Sequence, residues 1–257
     1  MKILITGGSG HLGRAFVRAA AHAGHVPRTM SRRPAPADPT GEWVQTDLSS
    51  GTGLVDALAG VDVVVHAASD PRTAAETDVE GTRGLVAAAR AAGVAHFLYV
   101  SIVGIDRIPF GYYKAKLAAE GIVGDSGIPH SILRAAQFHY FIDMLLHAAG
   151  RVPLVLPLPA GFRAQSIAIS DVVPHMLDAI ASGPGGMLPD LVGPRAMSLR
   201  EAARIWQGAR GKSRPIVGLP IPGAVAAAFR AGHNTAPDHP SGTVTWEAWL
   251  ANRYRGR

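Results

Sequence analysis

The first two dozen residues constrain this chain most. Lys2–Thr6 is a short apolar run that leads directly into Thr-Gly-Gly-Ser-Gly-His-Leu-Gly at 6–13. A helix-forming stretch from His11 to Ala23 follows and is stopped at Gly24. Gly8, Gly10 and Gly13 satisfy G-x-G-x-x-G, and Gly7, Gly10 and Gly13 equally satisfy G-x-x-G-x-x-G. At a strand-to-helix turn, one such glycine permits the tight turn and another lets the backbone approach a pyrophosphate. The last lets the helix pack closely on the strand. The anion then lies at a helix N-terminus, among unpaired N–H groups and the positive end of the dipole. With 30 glycines in the chain the triplet alone arises by chance. Its position between a strand and a helix is what makes it informative. The turn predicts a dinucleotide site built from Gly7, Gly8, Ser9, Gly10, His11, Leu12 and Gly13.

The rest of the chain continues the alternation. Strands are expected at His25–Met30, Trp43–Gln45, Val61–His66, His96–Ser101 and Ser131–Leu133. Helices are expected at Leu54–Leu58, Thr77–Ala92, Gly111–Gly124 and Phe138–Ala149. Val61–His66 is the most continuous β-branched run and reads as a central strand. Beyond about residue 150 the rhythm changes. Ser166–Ile169 and Leu188–Val192 read as strands, and Asp171–Ile180 as a helix. Ser198 and Glu201 form a capping box that opens a helix through Trp206. Further helices are expected at Ala224–Arg230 and around Trp246 and Trp249. The fold class expected is α/β: a Rossmann-type doubly wound parallel sheet with a small C-terminal substrate lobe. Residues 1–150 form the dinucleotide-binding core, and residues 151–257 a smaller substrate-binding lobe that does not fold independently. Ligands are expected at the C-terminal ends of the strands.

Composition removes several alternatives. There is no cysteine, so disulfides, thiolate zinc sites and a cysteine nucleophile are excluded. No metal site is expected, since the 11 histidines include no His-Glu-x-x-His. No apolar run reaches the roughly 18 residues of a membrane span, and Pro153, Pro157 and Pro159 interrupt the apolar stretch at 152–159. The first strand starts at Lys2 and leaves no room for a signal peptide before it, so a cytoplasmic protein without membrane contact is expected. A formal net charge of +6 is spread over scattered arginines, and no helix carries a basic stripe. It therefore predicts attraction for a polyanionic cofactor and no nucleic-acid partner. The oligomeric state is not legible.

The second strand chooses the nucleotide. An NAD site places an acid about 20 residues beyond the glycine loop to hold the ribose 2′-hydroxyl. Here the strand ends in Met30-Ser31-Arg32-Arg33, without one. Ser31, Arg32 and Arg33 suit a 2′-phosphate through charge-assisted hydrogen bonds. The bland alternative is an exposed basic loop. NADP(H) is the preferred cofactor, with NAD(H) possible.

Taken in order, these motifs resemble the short-chain dehydrogenase/reductase superfamily, in particular its extended and atypical NmrA-like members. The resemblance is carried by the glycine loop at 6–13, Thr-Asp-Leu at 46–48 and His-Ala-Ala-Ser at 66–69. It continues through Asp-Val-Glu-Gly-Thr at 78–82, Tyr-Val-Ser-Ile-Val-Gly at 99–104 and Tyr-Tyr-Lys-Ala-Lys-Leu-Ala-Ala-Glu at 112–120. Ile-Leu-Arg-Ala-Ala-Gln-Phe-His at 132–139 and Ile-Ser-Asp-Val-Val at 169–173 complete it. The resemblance implies that Asp47 and Leu48 border the adenine, and that Ala67, Ala68 and Ser69 line the dinucleotide. It also implies that Ala135, Gln137 and Phe138 lie near the nicotinamide and a small-molecule substrate. His139 follows on the substrate side, although a histidine at a helix start with an ordinary hydrogen bond is the simpler reading.

Tyr112 and Lys116 have Tyr-x-x-x-Lys spacing, so phenol and ammonium share one helix face. A phenol ionises near pH 10, and an adjacent ammonium lowers that. Lys116 could instead form a surface pair with Glu120 at i+4. In the superfamily the lysine also holds the nicotinamide ribose, and the tyrosine protonates the carbonyl oxygen as hydride arrives. The family serine stands in a Ser-Ser-x-x-Val-Tyr-Gly context after the fifth strand. Ser101 matches the first serine of that run, whereas the catalytic position falls nearer Ile102 or Val103. The catalytic set is Tyr112, Lys116 and Ser101. The resemblance implies an NADP(H)-dependent oxidoreductase of a small carbonyl, quinone or enone compound. The alternatives are a non-catalytic NADP(H)-sensing regulator and a nucleotide-sugar epimerase or dehydratase.

Overall fold

The structure, a computed structural model, describes residues 1–255. The chain divides into two compact units. The first comprises residues 1–101, 111–134 and 173–189; the second comprises 102–110, 135–172 and 190 onward.

The first unit is built on a sheet whose leading strands are β1 (Lys2–Thr6), β2 (Val26–Ser31), β3 (Glu42–Gln45) and β4 (Val63–His66). β5 (His96–Ile102), β6 (His130–Ala135) and β9 (Gly186–Met187) complete it in the order β3-β2-β1-β4-β5-β6-β9. β1 pairs in parallel with both β2 and β4. The chain therefore winds outward to β3, returns, and winds the other way from β4. That reversal defines a doubly wound sheet, and it puts the switch point between the C-terminal ends of β1 and β4. The crossovers are α1 (His11–His22), α2 (Leu54–Leu58), α3 (Gly81–Ala91) and α4 (Gly111–Gly124). One core cluster holds Leu4, Val64, Phe97, Leu85, Ala119 and Val123, joining strands to α3 and α4. β1, β4 and β5 are buried almost throughout, which is why they read as continuous apolar runs rather than alternating ones.

In the second unit α5 (His139–Ala149) packs with α7 (Leu199–Ala209) and α9 (Trp246–Tyr254) around Ile142, Leu146, Trp206, Trp246 and Leu250. β7 (Leu156–Pro159) pairs in parallel with β11 (Ile216–Leu219). β8 (Arg163–Ala164) pairs antiparallel with β10 (Met197–Ser198). α8 (Ala224–Arg230) lies between β11 and α9 in the chain. Ser198 caps α7 as the capping box predicts, accepting the Glu201 N–H at 3.1 Å. A buried carboxylate, Asp143, ties the three helices together. It accepts Trp206 Nε1–H at 2.8 Å, Arg253 Nε–H at 3.0 Å and the Tyr254 hydroxyl.

Three expected elements come out differently. The strand expected at Leu188–Val192 contains Pro189, which cannot donate to a ladder. Pairing occurs instead at Gly186–Met187, with a single bridge from Leu191 to Ala135. The strand expected at Ser166–Ile169 is reduced to one bridge between Ile167 and Phe138, because α6 (Ile169–Ser182) begins at once. The helix expected from Thr77 opens as a π-helical stretch, Ala75–Glu80, before continuing as α3.

Candidate functional site

The glycine loop lies at the switch point. Gly7 turns the chain with φ +68°, and a Cβ there would lie 2.8 Å from the Ala67 carbonyl oxygen and the Ala68 nitrogen. A Cβ on Gly13 would lie 2.2 Å from the Gly7 carbonyl oxygen, so α1 approaches the loop as closely as backbone permits. Gly8 faces Thr29 of β2, where a Cβ would meet Cγ2 at 2.6 Å. Gly10 is different. Its added Cβ would have one near neighbour, the Gly7 oxygen at 3.2 Å. It caps α1 without a side-chain hydrogen bond, and the first turn carries no acidic residue. This N-terminus therefore keeps its positive end uncompensated by the chain, which suits a pyrophosphate. His11 is exposed and Leu12 buried.

Ser9 and Ser31 approach each other from the loop and the end of β2, with hydroxyls 3.2 Å apart. Ser31 also accepts the Arg33 N–H at 3.1 Å. β3 holds the following backbone in place. Gln45 Nε2 donates to the Arg32 carbonyl and Trp43 Nε1 to the Arg33 carbonyl. Both arginine side chains are exposed, and Arg32 Nη2 lies 3.8 Å from Asp70 Oδ2. Asp47 Oδ1 accepts both the N–H and the hydroxyl of Ser49, and these bonds hold its carboxyl below the usual range. Leu48 is buried beneath it against Gly81.

At the end of β4 stands His66, a residue to which the sequence reading assigned no part in the site. Its Nδ1 lies 2.6 Å from Thr6 Oγ1 and its Nε2 2.9 Å from Thr82 Oγ1. Thr82 donates to the Asp78 carbonyl and so accepts from Nε2–H. Thr6 Oγ1 accepts the Ala68 N–H and donates to Nδ1. The ring is thus the neutral Nε2–H tautomer, and complete burial lowers its pKa to about 3. It clamps β1, β4 and α3, fixing the Ala67–Ser69 turn. The sequence named it at the end of a β-branched run and at the head of the His-Ala-Ala-Ser motif, with no role attached.

Tyr112 and Lys116 lie on α4 as the spacing requires. The Tyr112 hydroxyl is 2.7 Å from Ser69 Oγ. Lys116 is 2% exposed; its Nζ donates to the Val100 carbonyl at 2.8 Å and sits 4.3 Å from the centre of the Tyr99 ring. Burial lowers its pKa to about 8, opposed by the charges of Asp78 and Glu120. The surface pair with Glu120 does not form, because Arg134 binds that carboxylate through two bonds of 2.9 and 2.7 Å. Ser101 is 3% exposed and its hydroxyl has no hydrogen-bond partner among the described residues. The hydroxyl that meets Tyr112 therefore comes from the end of β4.

The remaining predicted residues belong to the second unit. Ala135 is buried and bridges Leu191; Gln137 Oε1 lies 3.4 Å from Asn234 Nδ2. Phe138 caps α5 and stacks on Tyr140. His139 is 1% exposed, with Nδ1 2.8 Å from Ser166 Oγ and Nε2 3.0 Å from the Val244 carbonyl. Both of its nitrogens are engaged by protein. No group of three or more His, Asp or Glu side chains that could hold a metal exists among the described residues. No helix there is long and apolar enough to cross a membrane.

A doubly wound sheet with a glycine turn at its switch point defines a Rossmann-type dinucleotide-binding protein. The chain belongs to the NAD(P)H-binding family, whose model matches residues 7–143. An Arabidopsis thaliana relative, the chloroplastic protein high chlorophyll fluorescence phenotype 244, is 28% identical over 85% of this chain and 58% of its own length. The photosystem II assembly factor Ycf39 of Cyanophora paradoxa is 29% identical over 54% of this chain and 46% of its own. This chain thus spans about half the length of those relatives. Among solved structures, the NADPH complex of an Escherichia coli NADPH-dependent quinone oxidoreductase shares the fold, with TM-score 0.81 and 21% identity. That match covers 98% of this chain and all of the other.

Proposed function

We propose that this chain is an NADP(H)-dependent reductase of a small carbonyl, quinone or enone compound. The observation that carries the reading is the Tyr112 hydroxyl, held by Ser69 at the C-terminal end of β4 and one helical turn from the buried ammonium of Lys116. In this reading the loop from Gly7 to Gly13 holds the pyrophosphate on the N-terminus of α1. Ser9, Ser31, Arg32 and Arg33 receive the 2′-phosphate, and Asp47 and Leu48 border the adenine. Ala67, Ala68 and Ser69 line the dinucleotide, and Lys116 holds the nicotinamide ribose. Bound NADPH supplies a hydride. Tyr112 gives its proton to the substrate oxygen, and Lys116 stabilises the phenolate that remains. The fold shared with the E. coli quinone oxidoreductase supports the substrate class as an analogy.

A second reading is a non-catalytic NADP(H)-binding protein. It is favoured by the relative named as an assembly factor and by the Ser101 hydroxyl lying apart from Tyr112.

Titration with NADPH and NADH, followed by fluorescence of the reduced nicotinamide, tests both. The expected result is tighter binding of NADPH, with Arg32→Ala plus Arg33→Ala cutting the preference about tenfold or more. Turnover on a quinone and enone panel that disappears in Tyr112→Phe separates the reductase from the sensor. Tighter NADH binding points to a sugar-nucleotide dehydratase or epimerase. Binding of neither nucleotide overturns the assignment.

A further inference from the structure

Asp78 is a carboxylate with 1% exposure, set in the π-helical stretch before α3. Burying such a charge costs several kcal/mol unless its partners restore what water supplied, and a π-helical turn is a rare conformation concentrated at functional sites. Its partners form a directed chain. Oδ2 accepts the Asp70 N–H at 3.2 Å. Oδ1 accepts the Ser69 hydroxyl at 2.5 Å and lies 3.9 Å from Lys116 Nζ. A carboxylate only accepts, so Ser69 must spend its single proton on Asp78. The Ser69 oxygen is then the acceptor for Tyr112, whose hydroxyl is 2.7 Å away.

We propose that Asp78 governs the ionisation of Tyr112 through Ser69, as part of a proton path running from the buried pair Lys116–Asp78 through Ser69 to Tyr112. The step it serves rests on the reductase reading; the path itself is a property of the chain. When Tyr112 has given its proton to the substrate oxygen, its phenolate takes the Ser69 proton. The Lys116 ammonium, 3.9 Å from Asp78 Oδ1, supplies a proton to that carboxylate as Asp78 passes one to Ser69. Asp78 and Ser69 end as they began. Tyr112 is restored, and Lys116 is left as a neutral amine that recovers its proton from water. A lysine held near 8 by burial can release that proton close to neutral pH. The other ionisable groups facing the path do not compete for it. His66 stays neutral above about pH 3, Glu120 is tied to Arg134, and Tyr99 contributes its ring face. Asp78 is thus a positioning residue, and Ser69 is the group through which it acts.

The test reads the Tyr112 phenol directly, without nucleotide or substrate. The full chain is labelled with 3-fluorotyrosine, the Tyr112 resonance is assigned with Tyr112→Phe, and its ¹⁹F shift is titrated with pH. Asp78→Asn removes a negative charge and frees the Ser69 proton to donate to the phenolate. The Tyr112 acid dissociation constant should rise about tenfold. Ser69→Ala removes the acceptor that holds the phenol in its neutral form, and the constant should rise here too. In the Ser69→Ala background, Asp78→Asn should lose most of its effect, because Asp78 acts through Ser69. Independent structural effects would add instead. A constant unmoved or lowered in either variant, or effects that add in the double variant, overturn the proposal. If Asp78→Asn does not fold, Ser69→Ala decides alone: a fall or no change in its constant overturns the path. The NADPH titration of the wild-type chain is scored separately, so a failed cofactor reading and a failed proton path are distinguishable.

Discussion

Two alanine substitutions in one loop should have opposite consequences, because the two glycines serve different purposes. At Gly13 an added methyl would sit 2.2 Å from the Gly7 carbonyl oxygen and 2.6 Å from Gly8 Cα, both backbone atoms that cannot rotate away. Helix α1 must move, and it carries the buried Phe16, Val17 and Ala20 with it. Overpacking of this kind costs about 3 kcal/mol. Replacing glycine inside a helix returns about 1 kcal/mol, leaving a net loss of about 2 kcal/mol. At Gly10 the added methyl would meet only the Gly7 oxygen, at 3.2 Å. The stability cost there should stay below about 1 kcal/mol, the loss of a permissive N-cap. Gly10→Ala should instead abolish NADPH binding, since its methyl would occupy the side from which a pyrophosphate reaches the helix N-terminus. Urea unfolding and NADPH titration on both variants make the comparison. Equal unfolding midpoints for Gly13→Ala and the wild type would refute the packing argument. Gly10→Ala that binds NADPH normally would refute the placement of the pyrophosphate.

Three further outcomes are expected. The unfolded chain, with an ordinary imidazole, binds a proton below about pH 6.5 that the folded state, with His66 lowered to about 3, refuses. Stability should therefore be unaffected by His66 above that range and fall as pH drops from about 6.5 towards 3; in acid urea titrations His66→Gln should flatten the slope, and an unchanged slope would count against the buried neutral ring. Asp143→Ala should cost about 3 kcal/mol by stripping Trp206, Arg253 and Tyr254 of a buried acceptor; hydrogen exchange should localise the loss to α9, and uniform exchange would contradict that. Turnover, once a substrate is found, should decline as pH rises through about 8 and Lys116 loses its charge; a rate flat to pH 10 would show that the ammonium is not required.

Local signals account for much of the architecture. β1, the glycine turn and α1 are visible because a buried parallel strand is continuously apolar and a close helix–strand turn admits only glycine. Tyr112 and Lys116 share a face because helical periodicity is a property of spacing alone. The capping box at Ser198 and Glu201 was equally readable, its chemistry being confined to four residues. The strand expected at Leu188–Val192 failed where Pro189 shifted the pairing upstream. The single bridge at Ile167 shows the same limit, since pairing needs a partner that the segment itself does not specify.

The sequence by itself determined the class of fold, the dinucleotide turn and the helix face bearing phenol and ammonium, because each depends on residues within a few turns of one another. Only the tertiary structure decided which hydroxyl meets Tyr112, which acid meets Lys116 and which tautomer His66 holds. Ser69, Asp78 and Tyr112 come from three segments up to 43 residues apart. Their hydrogen-bond directions follow from the carboxylate of Asp78, which only accepts and so takes the Ser69 proton, a pairing that exists only once the fold has brought the three segments together.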